Sequence, residues 1–299
     1  MKIRIINKAI EEEIANNFLL DEYRLFLKVQ WLSIDTIAYY INYIYLFIKY
    51  SKLKELNDFN NKLKIKISYN KLFDTSFKES TLIKYRKTII KYYTFLINEE
   101  LVDSNYWKTI QSIKPQKSLP KSLDEKYIPT ITKYIINNFK KDFYKYRALT
   151  IFNTFINTWV RRTELINIKK CNISPQYIKI ESWKWNKDRL IYISKEYYKS
   201  IKDYLELIEN NSQYLFSEPN WKQMSKTWVN KIFAKIKKWL QIDIYPHLLR
   251  HTYASLCVKK WINLYTLQQQ MWHSDLKTTS IYLYLNSRES WEEIQKLQF

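Results

Sequence analysis

A chain of 299 residues with 46% apolar side chains is long enough for one large domain or two of ordinary size. No stretch approaches the roughly 18–20 continuous apolar residues of a membrane span; the best, residues 37–48, is short and contains Asn42. Net charge is +21, from 50 basic against 29 acidic residues, which points to a polyanion partner whose phosphates exchange their counterions for Lys and Arg. Abundant Lys, Ile, Asn and Tyr also fit AT-rich codons, which inflate Lys without any nucleic-acid partner, but Asp and Glu have not risen in step. Cys171 and Cys257 are too far apart in sequence to read as a disulfide framework or a metal motif. Glu11, Glu12 and Glu13 stand where a signal peptide needs its apolar core, so a cytoplasmic protein is expected. There is no glycine at all, although ordinary usage of about 7% predicts roughly 20, and there are 11 tryptophans.

In chain order, residues 11–29 carry Ile14, Phe18, Leu19, Tyr23, Phe26 and Leu27 at helical spacing. A second helix is predicted over 33–50, with Ser33 as its N-cap. A less regular stretch with Lys-rich alternation follows at 62–67. A long helix over 80–98 presents Leu82, Tyr85, Ile89, Tyr92, Tyr93 and Leu96 as an apolar stripe, which reads as core. The polar, basic segment 114–122 contains two prolines and reads as a linker. Beyond it, helices are predicted over 124–139 and 142–158, then two short strands at 178–181 and 189–194 joined by a turn at 183–188. Helices resume at 195–209, 225–239, 246–260, 263–271 and 277–285. The expected fold is mainly α, with an all-helical N-terminal domain and a mostly helical second domain that carries a small antiparallel β-sheet.

The three histidines, His247, His251 and His273, lie within one short span of the chain. His247 and Arg250 are three apart and share a helix face, with Pro246 suited to the first turn. Tyr282 follows His273 by nine residues. Arg161 falls where the helix from Asp142 ends, and Lys184 falls in the turn between the two strands. Taken singly, each of these residues reads as structural or solvated. Their order and spacing give them a common meaning.

Four segments resemble, in order, the motifs of the tyrosine recombinase (lambda-integrase) family, and the chain's size resembles the Xer-type branch. NTWVRRTELINI is similar to T-G-L-R-x-x-E-L-x-x-L, and SWKWNKDRLIYI to G-K-G-x-K-x-R-x-I-P-L. HLLRHTYASL is similar to H-x-L-R-H-T-x-A-T/S, and MWHSDLKTTSIYLYL to L-G-H-x-x-x-x-T-T-x-x-Y. Near the N-terminus, QWLSIDTIAYY resembles the R-G-L-S-x-x-T-x-x-x-Y of the family's core-binding domain. The resemblance implies that Arg161 and Arg250 grip the scissile phosphate, a task that suits a planar, permanently charged guanidinium. It implies that Lys184 protonates the leaving 5′ oxygen, that His247 and His273 hydrogen-bond the phosphate and assist proton transfer, and that Tyr282 is the nucleophile. His251 matches a position that is usually structural, and Glu164 one that orients its neighbours. Fixed positive donors suit a phosphodiester transition state, and a tyrosine of ordinary pKa about 10 needs cationic surroundings or a base to attack. No acidic cluster suited to Mg²⁺ stands out in the sequence, so no metal or other cofactor is expected.

The resemblance further implies a core-binding domain over residues 1–113, a linker over 114–122 and a catalytic domain over 123–299, closing on double-stranded DNA as a clamp. It implies a homo- or hetero-tetramer on two DNA sites that exchanges strands through a Holliday junction, in either chromosome-dimer resolution or integration of a mobile element. A catalytically dead DNA-binding relic and a type IB topoisomerase are the alternatives. Where the family's motifs have glycine, this chain has tryptophan: at Trp159, Trp183, Trp185 and Trp272, and by looser alignment at Trp31, Trp221, Trp239 and Trp261. These are turn and cap positions, where glycine is at ease at positive φ and a bulky residue is strained. A source that reads UGA as glycine, written here with UGA as tryptophan, accounts for both the excess and the absence; the alternative is genuine tryptophans in a diverged protein.

Overall fold

The computed structural model describes residues 8–51, 53–73, 77–109, 121–181, 188–208, 211–260 and 262–271. The chain divides into two compact units, Met1–Lys117 and Ser118–Phe299. Each has its own apolar core.

The first unit is helical: α1 (Lys8–Asn17), α2 (Leu20–Val29), α3 (Ile34–Tyr50), α4 (Lys62–Phe73) and α5 (Glu79–Asn98). The single helix expected over 11–29 is two helices, because Leu19 takes a left-handed φ of 47° and breaks the run. Ser33 caps α3 as expected, its hydroxyl accepting from the Thr36 amide at 3.3 Å. The Lys-rich alternation at 62–67 is helical, not irregular. Ile65, Tyr69 and Leu72 share one buried face, while Leu63 and Ile67 are exposed. The core is strongly aromatic. The stripe of α5 is buried throughout, and Tyr93 satisfies its hydroxyl on the Phe59 carbonyl at 2.9 Å.

The second unit contains α6 (Tyr127–Asn138), α7 (Asp142–Asn157), the one-turn α8 (Arg162–Leu165), strands β1 (Tyr177–Ile180) and β2 (Arg189–Tyr192), then α9 (Lys195–Leu207), α10 (Lys226–Leu240), α11 (Pro246–Lys259) and α12 (Leu264–Met271). The strands pair antiparallel, Tyr177 with Tyr192 and Ile180 with Arg189. Period-two alternation puts Arg189 and Ile191 on the buried side and leaves Leu190 and Tyr192 exposed. α11 packs on α7, and the backbone amide of Leu123 donates to the Thr252 hydroxyl of α11 at 2.8 Å, both groups buried. The turn residues 183–187 and the helix expected over 277–285 lie outside the described residues. Among the described residues no helix is long and apolar enough to cross a membrane.

Among the described residues, two tryptophans adopt the left-handed backbone. Trp31 (φ 57°) directly follows the C-cap of α2, where glycine is the usual occupant, and Trp221 (φ 62°) sits in the turn closed by Glu218 and Lys222. An L-residue with a side chain is destabilised there by about 1–2 kcal/mol. Trp159 differs: its backbone is not left-handed, and its indole is buried against Ala254, Cys257, Val258, Leu267 and Met271. The relief expected from glycine at 159 is therefore not found. Trp183, Trp185, Trp261 and Trp272 lie outside the described residues. Trp31 is 96% exposed and loses nothing on truncation, so Trp31→Gly should stabilise the protein by roughly 1 kcal/mol. Trp221→Gly should be closer to neutral, because it also removes an edge contact with Phe143, of about 0.5–1.5 kcal/mol. Trp159→Gly should cost about 3–5 kcal/mol through the cavity it leaves. Chemical denaturation of the three variants checks all three signs.

Candidate active site

α7 ends at Asn157, and residues 158–161 lead into α8 in extended conformation at both Thr158 and Arg161. Arg161 is the N-cap of α8, so the residue expected to bind phosphate stands at the mouth of a helix turn. Glu164, three residues on, holds it there. One Glu164 oxygen, Oε2, accepts from the Arg161 backbone amide at 2.6 Å, and Oε1 accepts from the Arg161 guanidinium at 2.8 Å. The same two oxygens take a bidentate pair from Arg189, each bond 2.8 Å long. The trio runs from interior to surface: the Arg189 side chain is 7% exposed, Glu164 15% and Arg161 48%. Burial pushes the Glu164 carboxyl up, but the hydrogen bonds and charge of Arg189, with the amide and side chain of Arg161, outweigh it and hold the pKa at about 2.

α11 carries the second half of the site. Pro246 opens it at N1, where a missing N–H costs no hydrogen bond. Arg250 is buried on this helix, and its guanidinium stacks 3.9 Å from the Trp159 ring centroid and donates to the Trp159 carbonyl. Arg250 is thus tied to the same four-residue segment that ends in Arg161. His247 is exposed at the start of α11, and its pKa is lowered by partial desolvation and then by the charges of Arg250 and Arg161. The three residues expected to act together therefore share one electrostatic neighbourhood. His251, set aside as structural, lies one turn along with its Nε2 3.1 Å from that of His247. One ring donates and the other accepts, so the two imidazoles cannot both be doubly protonated.

Lys184, His273 and Tyr282 lie outside the described residues. On either side of the turn, Lys179 pairs with Asp188 at 2.8 Å and Lys169 with Glu181 at 2.8 Å. Arg189 is the neighbour of Glu164 and Arg161 that sequence reasoning passed over. It occupied the R of the strand motif, but nothing in the pattern says that it meets Glu164 across 25 residues.

The profile of the phage integrase family matches residues 121–289. That is more than half of the chain, and the chain belongs to the phage integrase family. Its relatives are tyrosine recombinases of the Xer branch. Tyrosine recombinase XerA of Pyrococcus horikoshii is 27% identical over 290 residues, covering 95% of each chain. Tyrosine recombinase XerD of Staphylococcus epidermidis is 23% identical over 292 residues, covering 91% of this chain and 96% of the relative. Among solved structures, a lambda integrase tetramer bound to a Holliday junction superposes with a TM-score of 0.73 at 16% identity, over 94% of this chain and 81% of that one. The XerH site-specific recombinase in a post-cleavage complex with its palindromic difH substrate gives 0.72 at 17% identity, over 88% and 80%. At these identities the structural likeness establishes the fold, mainly helical with one small antiparallel sheet.

The Glu164 carboxylate gives a pH test. Its folded pKa of about 2 lies below the ordinary carboxylate value, so the stabilisation is complete above about pH 4.3 and is lost as pH falls toward 2. Glu164→Gln should be less stable than the wild type at pH 7 by roughly 3 kcal/mol. The gap should close on titration from pH 5 to pH 2, as followed by urea denaturation at each pH.

Proposed function

We propose that the chain is a site-specific DNA recombinase that cuts and rejoins strands through a 3′-phosphotyrosine at Tyr282. The observation that carries this reading is the convergence of Arg161, Arg250 and His247 within a unit that matches the family. Their charges and donors suit an attacked phosphodiester, whose equatorial oxygens gain negative charge in the transition state. Arg161 offers a half-exposed guanidinium anchored at one nitrogen by Glu164. Arg250, rigid and buried, supplies a second fixed positive charge. Desolvation and the charges of Arg250 and Arg161 lower the pKa of His247 and favour its neutral form, which suits a group that accepts a proton as the phenol attacks. His273 would share that work, and Lys184 would protonate the departing 5′ oxygen. The phosphotyrosine retains the energy of the broken bond, so religation needs no nucleotide.

In this reading residues 1–113 form a core-binding domain and 123–299 the catalytic domain, joined by the linker at 114–122 and closing on double-stranded DNA. Four protomers on two sites exchange strands through a Holliday junction, and the protein works in the cytoplasm. A match to Xer relatives along both units favours recombination over a topoisomerase.

Two outcomes test the mechanism. Tyr282→Phe should bind DNA as the wild type does but form no covalent complex on a nicked suicide duplex. A trapped band would move the nucleophile elsewhere, Tyr284 being the nearest candidate. Cleavage should persist in excess EDTA, since the charge stabilisation comes from side chains, while Arg161→Ala or Arg250→Ala should slow it by about 10²–10³. Activity that is lost in EDTA and restored by Mg²⁺ overturns the reading.

A further inference from the structure

Glu164 poses an electrostatic problem for the site. A carboxylate beside Arg161 neutralises the charge that a phosphate must feel, and an isolated Arg–carboxylate pair prefers the two-bond fork that would occupy the guanidinium's best donors. The structure resolves this with Arg189. Its guanidinium takes both Glu164 oxygens at 2.8 Å, leaving Arg161 one side-chain bond to Oε1 and one backbone bond to Oε2. Four bonds fill the acceptor capacity of the carboxylate. The pair alone would be neutral, whereas the trio carries a net charge of +1 near its exposed end, where Arg161 is 48% exposed and Arg189 only 7%.

We propose that Arg189 is a positioning residue for strand cleavage: by holding the bidentate face of Glu164 it keeps the Arg161 guanidinium charged, fixed and available to the scissile phosphate. The proposal rests on the phosphate-binding role of Arg161 given above. Arg189 itself touches no reacting atom, since it acts through Glu164. Its place at the first residue of β2, five residues after Lys184 in sequence, also ties the strand that leaves the turn to α8.

The test uses the full chain and nicked suicide duplexes selected from random-sequence DNA by covalent capture on the wild-type protein. Single-turnover cleavage, DNA affinity and melting temperature are measured for Arg161→Ala, Arg189→Met, Arg189→Lys and the double variant Glu164→Gln with Arg189→Met. Arg189→Met should cleave about tenfold to a hundredfold more slowly, as expected of a misplaced phosphate ligand, with DNA affinity little changed. Arg189→Lys, which keeps the charge but not the fork, should fall between. The double variant should cleave faster than Arg189→Met, because the neutral amide introduced by Glu164→Gln has no charge with which to capture Arg161. A purely structural role predicts recovery only in step with the melting temperature, so the gain must appear at a temperature where both variants are fully folded. Cleavage by Arg189→Met at the wild-type rate, or a double variant no faster than the single one, overturns the proposal. If Arg189→Met does not fold, Arg189→Lys against the double variant decides the same question. Failure of the wild type to capture any duplex, or an Arg161→Ala variant with undiminished cleavage, sinks the functional reading instead and is told apart by the Arg161 arm.

Discussion

A site that stabilises a growing negative charge must first gather positive charges that repel one another when the phosphate is absent. In the site proposed here that constraint is met by geometry around one short segment, residues 158–161. Arg161 ends it, and the carbonyl of Trp159 receives Arg250 from α11. Each cation is separately compensated: Arg161 by Glu164, Arg250 by a carbonyl dipole and an aromatic face. Neither device fully cancels the charge. The carboxylate is shared with a second arginine, and a carbonyl or an indole carries only partial negative charge. The neighbourhood therefore stays cationic, and the charges of Arg250 and Arg161 add to the desolvation that lowers the pKa of His247.

Much of this was legible in the sequence, for reasons that differ by element. The buried stripe of α5 and the Ser33 cap follow from local periodicity and local hydrogen bonding, and both are found. The break at Leu19 was not legible, because an apolar residue with helical spacing on both sides gives no sign of a left-handed φ. α4 was misread because Lys and apolar residues alternate at 62–67, a period-two pattern. Which apolar residues are buried depends on the surrounding helices: Ile65 packs inward while Leu63 and Ile67 face solvent. In the site, Arg161, His247 and Arg250 came from motif spacing. The Arg189–Glu164 pair depends on how β2 lies against α8, which no one-dimensional pattern contains. The meeting of His251 with His247 was available from their four-residue spacing, and it was discounted only because the family resemblance offered it no role.

The tryptophans separate into physical kinds once their surroundings are known. Trp107 is fully buried between Phe47 and Tyr69, and Trp228 lies under the guanidinium of Arg147; both act as ordinary large aromatic side chains. Trp31 and Trp221 occupy backbone conformations that suit a residue without Cβ. The coincidence of missing glycine and surplus tryptophan thus has a conformational counterpart at 31 and 221, in both units of the chain. At Trp159 the indole packs against Arg250, and conformation alone gives no reason to prefer glycine.

The hydrogen bond from the Leu123 amide to Thr252 reaches α11 only two residues along from Arg250. Leu123 is itself buried in the core, and the Thr252 hydroxyl also bonds back to the Leu248 carbonyl within the helix. Leu123 is thus fastened directly onto the helix that bears His247 and Arg250. One hydroxyl does two jobs: it caps a carbonyl inside the helix and anchors a backbone amide from the start of the unit, so replacing Thr252 with valine would loosen both at once without touching either charged side chain.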